Sequence, residues 1–203
     1  MKTALCLAAA LCAITGFATA QEKKPKADAK PAAESKPAAG EKTTDVQLGG
    51  LTFKVPASWE AKKKLRMFSK AGYTIPDKGK ADGIEADLYH FEGELGGGDV
   101  QSNIARWQGQ FKAGDDGKAP EPKKEELTFG DKKALLVTLK GTFISGSVSD
   151  AERPLKEGYT MAGVIIETGD GKAILKFTGP DAAMTAALPE IKKLVGSAFP
   201  AAK

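Results

Sequence analysis

The sequence predicts an α+β domain, a mostly antiparallel sheet of about six to seven strands flanked by two main helices. Three observations lead there. Short segments that alternate apolar and polar residues recur between residues 51 and 178. Two of the joints between them are Gly/Asp turns of the hairpin kind. Only two stretches, 100–111 and 184–199, carry apolar residues at helical spacing.

In chain order, Lys2 precedes an apolar run from residue 4 to 13. Ala18-Thr19-Ala20 then puts small residues where a signal peptidase reads them. The expectation is an exported chain, cleaved after Ala20 and periplasmic or extracellular. A membrane span needs about 20 apolar residues, so none is expected in the mature form. Leu5 and Leu11, before Cys6 and Cys12, are bulky where lipoprotein signals carry a small residue. These are the chain's 2 cysteines, so the mature protein would have no disulfide and no thiolate.

Residues 21–45 are rich in Lys, Ala, Pro and Glu, with no aromatic and no branched apolar side chain. Such a stretch cannot bury enough surface to offset its ordering entropy and reads as a disordered linker, semi-extended by its prolines. Residues 46–203 then form a single domain.

Within it, Leu51, Phe53 and Val55 alternate with polar residues, and Pro56 ends that strand. Residues 67–75 give a second, weaker strand. Residues 86–95 give a third, with Tyr89 and Phe91 on one face and Leu88 and His90 on the other. Gly130-Asp131 joins 125–129 to 133–143, and Gly169-Asp170-Gly171 joins 159–168 to 172–178, two hairpins. Met184, Leu188, Ile191, Val195 and Phe199 mark a terminal amphipathic helix, which Pro189 is expected to kink or restart.

Between the third strand and the first helix lies "GGGDVQSNIARWQGQF". Glycines running into a helix suggest a phosphate loop, but a Walker loop needs Lys and Ser/Thr after them. Here Asp99 follows Gly98, and its carboxylate would repel a phosphate. Asp99 reads instead as an N-cap, with the glycines supplying positive φ in a tight turn. Val100, Ile104, Trp107 and Phe111 form one stripe, read as core. Asn103, Arg106 and Gln110 lie on its flank, placed to hold a polar ligand or to clamp a neighbouring loop.

Much chemistry is missing. Without the leader the chain has 29 basic and 26 acidic residues, close to balance and unlike a nucleic-acid binder. One histidine, His90, and no Gly-x-Ser-x-Gly argue against a Ser-His-Asp hydrolase. His90 shares a strand face with Glu92 and reads as a half-buried strand histidine. No metal-ligand or cofactor motif is present. The carboxylates Asp82, Glu85, Asp87, Glu92, Glu94 and Asp99 lack calcium-loop spacing and read as charged strand edges.

"GLTFKVPASWE", the Gly-rich segment and "NIARWQGQF" resemble a group of small secreted bacterial proteins without an assigned activity. The strand-helix order resembles the PsbP-like and DcrB-like α/β/α sandwich, over about residues 51–199. The resemblance implies a fold and an envelope location. PsbP-like proteins bind and stabilise assemblies, but none of their calcium or manganese motifs maps onto residues here. The expected function is an exported, non-catalytic binding or accessory module that meets an envelope protein or polymer. Its candidate contacts are Trp59, Asn103, Arg106, Trp107 and Gln110. The alternative is a carboxylate-dependent hydrolase or cation-binding protein using acids near Glu92 and Asp99.

Overall fold

The structure is a computed structural model that describes residues 42–77, 82–93, 96–146 and 151–199. The chain divides into two units, Met1–Glu34 and Ser35–Lys203, and every described residue belongs to the second. The expected signal peptide, the cleavage point after Ala20, linker residues 21–41 and Glu94 lie outside the described residues.

The elements are β1 (Thr43–Leu48), β2 (Leu51–Pro56), β3 (Glu60–Ala61), β4 (Ser69–Ile75), β5 (Ile84–Glu92), α1 (Val100–Gln108), β6 (Lys123–Phe129), β7 (Lys132–Ile144), β8 (Leu155–Thr168), β9 (Gly171–Pro180) and α2 (Asp181–Ser197). A seven-stranded sheet runs β3-β4-β5-β9-β8-β7-β6, and β1-β2 form a separate two-stranded sheet. All these pairings are antiparallel. The class is α+β, as the sequence predicts.

The hairpins form where the turn residues place them. β6 and β7 meet across Gly130, at φ 63°, and β8 and β9 join at Gly169-Asp170. A third Gly turn, Gly49-Gly50 with φ 55° and 74°, closes β1 onto β2. That strand starts at Thr43, inside the stretch read as linker, because polar Thr-Thr-Asp can still pair its backbone with residues 54–56. The expected kink or restart at Pro189 does not divide α2, which is one helix through that residue.

The centre of the sheet is buried on both faces, so each face needs a cover. On one face, Phe53 and Val55 of β2 and Met184, Ile191 and Val195 of α2 pack on Leu88, Leu136, Val164, Leu175 and Phe177. On the other, Ile104 and Trp107 of α1 and the following Phe111 pack on Val137, Leu139, Met161, Ile165 and Ile174. Alternate residues of one strand feed opposite cores, as the period of two requires.

Two local devices fix α1. Asp99 is its N-cap and accepts from the Ser102 backbone N–H at 2.8 Å and the Ser102 hydroxyl at 2.7 Å. These hydrogen bonds hold its carboxyl below the usual range. Trp107 then lies directly on Gly163 of β8, where a Cβ would stand 2.4 Å from two ring carbons. The absent side chain is what lets the indole reach the sheet.

Gly163→Ala should therefore cost about 1–3 kcal/mol by overpacking. Urea unfolding measures it; a change within about 0.5 kcal/mol, the size of an ordinary surface substitution, would mean the indole is not pressed against β8.

Candidate functional site: a cationic loop clamped to the sheet

The expected contact residues prove to be held mostly by the fold itself. Trp107 is 4% exposed and belongs to the core. Trp59 is 5% exposed, edge-on to Tyr73 and Phe177, and donates to Glu190 Oε1 of α2 at 3.0 Å. Asn103 is buried, and its amide donates to the carbonyls of Gly97 at 2.7 Å and Asp99 at 2.9 Å. It ties down the glycine turn, where Gly97 and Gly98 take φ 74° and 76°. These three therefore offer little or nothing to a partner, because the indoles fill the two cores and the amide is used on backbone. Arg106 is exposed and donates to Asn103 Oδ1 at 3.4 Å. Gln110 accepts from Lys176 and is half-buried. The five are not one surface.

His90 does not pair with Glu92. Its Nε2 lies 3.2 Å from Asp170 Oδ1 in the β8–β9 turn, and the ring presses on Gly49 of the β1–β2 turn. It joins two hairpin turns.

The more distinctive region is the half of the second sheet face beyond α1. β5 is an interior strand, between β4 and β9, so Glu85 and Asp87 are not edge charges. Both point from β5 to the face shared with Lys176, the cross-strand partner of Asp87. The Asp87 side chain is 5% exposed and receives Lys62 Nζ at 2.9 Å and Arg66 Nε at 3.0 Å. Glu85 takes the same two cations, at 3.0 Å and 3.6 Å. Burial raises the Glu85 carboxyl, but hydrogen bonding and charge from Lys62 and Arg66 outweigh it and leave the group below its usual range.

Lys176 has no carboxylate of its own in this arrangement. It donates to Gln110 Oε1 and lies 5.7 Å from the centre of the Phe143 ring. Desolvation first, then the charge of Arg66, brings its pKa down to about 8. Burial pushes the neighbouring Tyr89 up to about 12, with the Asp87 charge adding to the shift.

Lys62 and Arg66 bracket a loop, and their ion pairs pin it over β4 and β5. Leu65 packs between them against Gly72, where a Cβ would come within 3.1 Å of its side chain. Past the clamp the chain turns at Met67-Phe68, closed by the Ser69 N–H and hydroxyl donating to the Arg66 carbonyl at 3.1 and 2.8 Å. Phe68 sits at φ 65°, the position where such a turn normally takes glycine. Met67 is 78% and Phe68 72% exposed, the most exposed large apolar side chains among the described residues. Lys63, Lys64 and Lys70 around them are exposed and have no ion-pair partner among the described residues.

The sequence predicts a strand over residues 67–75, which would include Met67 and Phe68. The structure places them in the turn before β4, because left-handed φ at Phe68 interrupts the extended backbone. The available signal was "KKKLRMFSK", five cations without an acid around an apolar pair.

Of the other candidate acids, Asp82 and Asp99 are also engaged. Asp82 accepts from Tyr159 at 2.9 Å, and Asp99 caps α1. A shallow depression near Val100 and Leu135 is lined by Glu126 and Glu167, which are ion-paired to Lys133 at 2.9 Å and Lys172 at 3.5 Å. No group of three or more His, Cys, Asp or Glu able to hold a metal occurs among the described residues, and no helix among them is long and apolar enough to cross a membrane.

No family model matches the chain, and no curated protein matches it in sequence. Among solved structures, a Pseudomonas aeruginosa protein of unknown function is similar at TM-score 0.43 and 14% identity, over 79% of this chain and 99% of that one.

Two measurements check the site. Between pH 8 and about 10.4 the unfolded chain binds more protons at residue 176 than the folded one, so this lysine makes stability rise with pH there. In Lys176→Met that rise should shrink by an amount on the order of 1–3 kcal/mol; identical pH profiles would refute the desolvated amine. Phe68→Gly should stabilise the domain by about 1 kcal/mol through relief of left-handed strain. A loss in the same urea titration would mean the ring is packed rather than displayed.

Proposed function

We propose that this domain is a non-catalytic binding module of the cell envelope, which meets its partner through the loop bracketed by Lys62 and Lys70. The observation that carries this reading is an exposed apolar pair, Met67-Phe68, on a loop whose base is held by a buried carboxylate. Exposed large apolar groups are unfavourable in water, and left-handed φ on Phe68 adds to the cost. A contact that removes both side chains from water turns that cost into affinity. Because the clamp orders the loop beforehand, binding loses little further entropy.

An export signal and a Lys/Pro-rich linker in the sequence support an envelope location and a tethered domain. The resemblance of the sequence to PsbP-like and DcrB-like proteins supports the same reading. Arg106, exposed on α1, is available as a secondary contact.

A photocrosslinking amino acid at Phe68 tests the reading in intact cells, with a matched probe at exposed Lys118 as control. Adducts to protein or lipid should form at the first position and not the second. Equal or absent labelling at Phe68 in a folded protein would overturn the proposal.

A further inference from the structure

Resting on that reading of the loop, we infer that its partner is the surface of an anionic phospholipid bilayer, with Met67 and Phe68 entering the headgroup region. Charge is the first argument. Five of the nine residues from 62 to 70 are cationic and none is acidic. Lys62 and Arg66 are committed to Glu85 and Asp87, while Lys63, Lys64 and Lys70 remain outward. A lipid surface supplies diffuse negative charge and needs no carboxylates matched one by one to these three ammonium groups. Their aliphatic stems can lie along the apolar boundary while the charges stay in water.

Backbone chemistry is the second argument. Peptide groups enter a poorly hydrated interface cheaply only when their hydrogen bonds are satisfied internally. In this turn the Arg66 carbonyl and the Ser69 N–H are paired with each other, and the Ser69 hydroxyl gives the same carbonyl a second donor. The two most exposed large apolar side chains, a thioether and a phenyl ring, have no formal charge to desolvate. The clamp supplies the third argument. It fixes the tip on the sheet, so insertion does not require the loop to order first.

The test is vesicle partitioning of the full chain, with phosphatidylcholine vesicles with and without phosphatidylglycerol. The wild type is compared with Met67→Ser/Phe68→Ser and with Lys63→Gln/Lys64→Gln/Lys70→Gln, each confirmed folded by its thermal transition. All three proteins carry the same Lys-rich linker, so differences among them report the loop alone. Each lysine near an anionic surface is worth about fivefold in partitioning, so the lysine variant should lose about a hundredfold at low salt. The serine variant should lose at least about tenfold.

Insertion is read separately with Phe68→Trp and brominated lipids. Quenching of the new indole is expected in anionic vesicles, against little in the wild type, whose Trp59 and Trp107 are 5% and 4% exposed. Unchanged partitioning of both variants, or an unquenched indole at position 68, overturns the bilayer assignment. If protein adducts still form at Phe68 in cells, the binding-loop reading survives that failure; if no adducts form, both fall.

Discussion

Everything in this domain depends on a sheet whose central strands are apolar on both faces. From Tyr159 to Ile166, β8 is buried without a break, and β9 is nearly so. A strand like this cannot face water on either side, so the chain must supply two covers. On one side α2 and the β1–β2 hairpin fill the requirement with aliphatic and aromatic side chains. On the other, α1 reaches only part of the sheet, and Trp107 closes its contact by lying on Gly163. No cysteine occurs among the described residues, so no covalent link shares this work within them. Each fully buried Leu, Ile, Phe or Met contributes about 1.5–3 kcal/mol relative to exposure.

The part of the second face that α1 leaves over is finished with charge. Asp87 and Glu85 on β5 would be costly there alone; Lys62 and Arg66 make the arrangement tolerable by supplying opposite charge at 2.9 to 3.6 Å. The same contacts also cover the sheet with a loop instead of a helix. A loop can present at its outer side what a helix would have turned inward, and here it presents Met67 and Phe68. The clamp and the display are two sides of one segment. Lys176 shares this face with no carboxylate of its own: it donates to Gln110 and lies over the Phe143 ring, and burial, with the nearby Arg66 charge, makes it hold its proton less tightly.

Read residue by residue, the sequence was informative where the signal is local. Asp99 after a run of glycines is an N-cap because the first helical amides need an acceptor three residues away, whatever the rest of the fold does. Gly130-Asp131 and Gly169-Asp170 mark hairpins because short, flexible polar residues between two alternating runs favour a turn, and at Gly130 the turn uses left-handed φ, 63°. The stripe of Ile104, Trp107 and Phe111 is core because helical spacing puts those side chains on one side. The start of β1 carries no such signal, because Thr-Thr-Asp has no apolar alternation; its backbone pairing depends on the Gly49-Gly50 turn and on β2.

Partner choice over long separations lay beyond such reasoning. Asp87 looks like an edge charge until β9, nearly ninety residues later, pairs with β5 and makes it interior. Trp107 and Asn103 look like contact residues until Gly163 and the glycine turn receive them. The composition and short-range spacing of this chain determined its class, its helices, its turns and the cationic run at 62–70. Only the tertiary structure decided that two of those cations are spent on a buried carboxylate and three face outward, because strand order sets which charges meet and sequence distance does not.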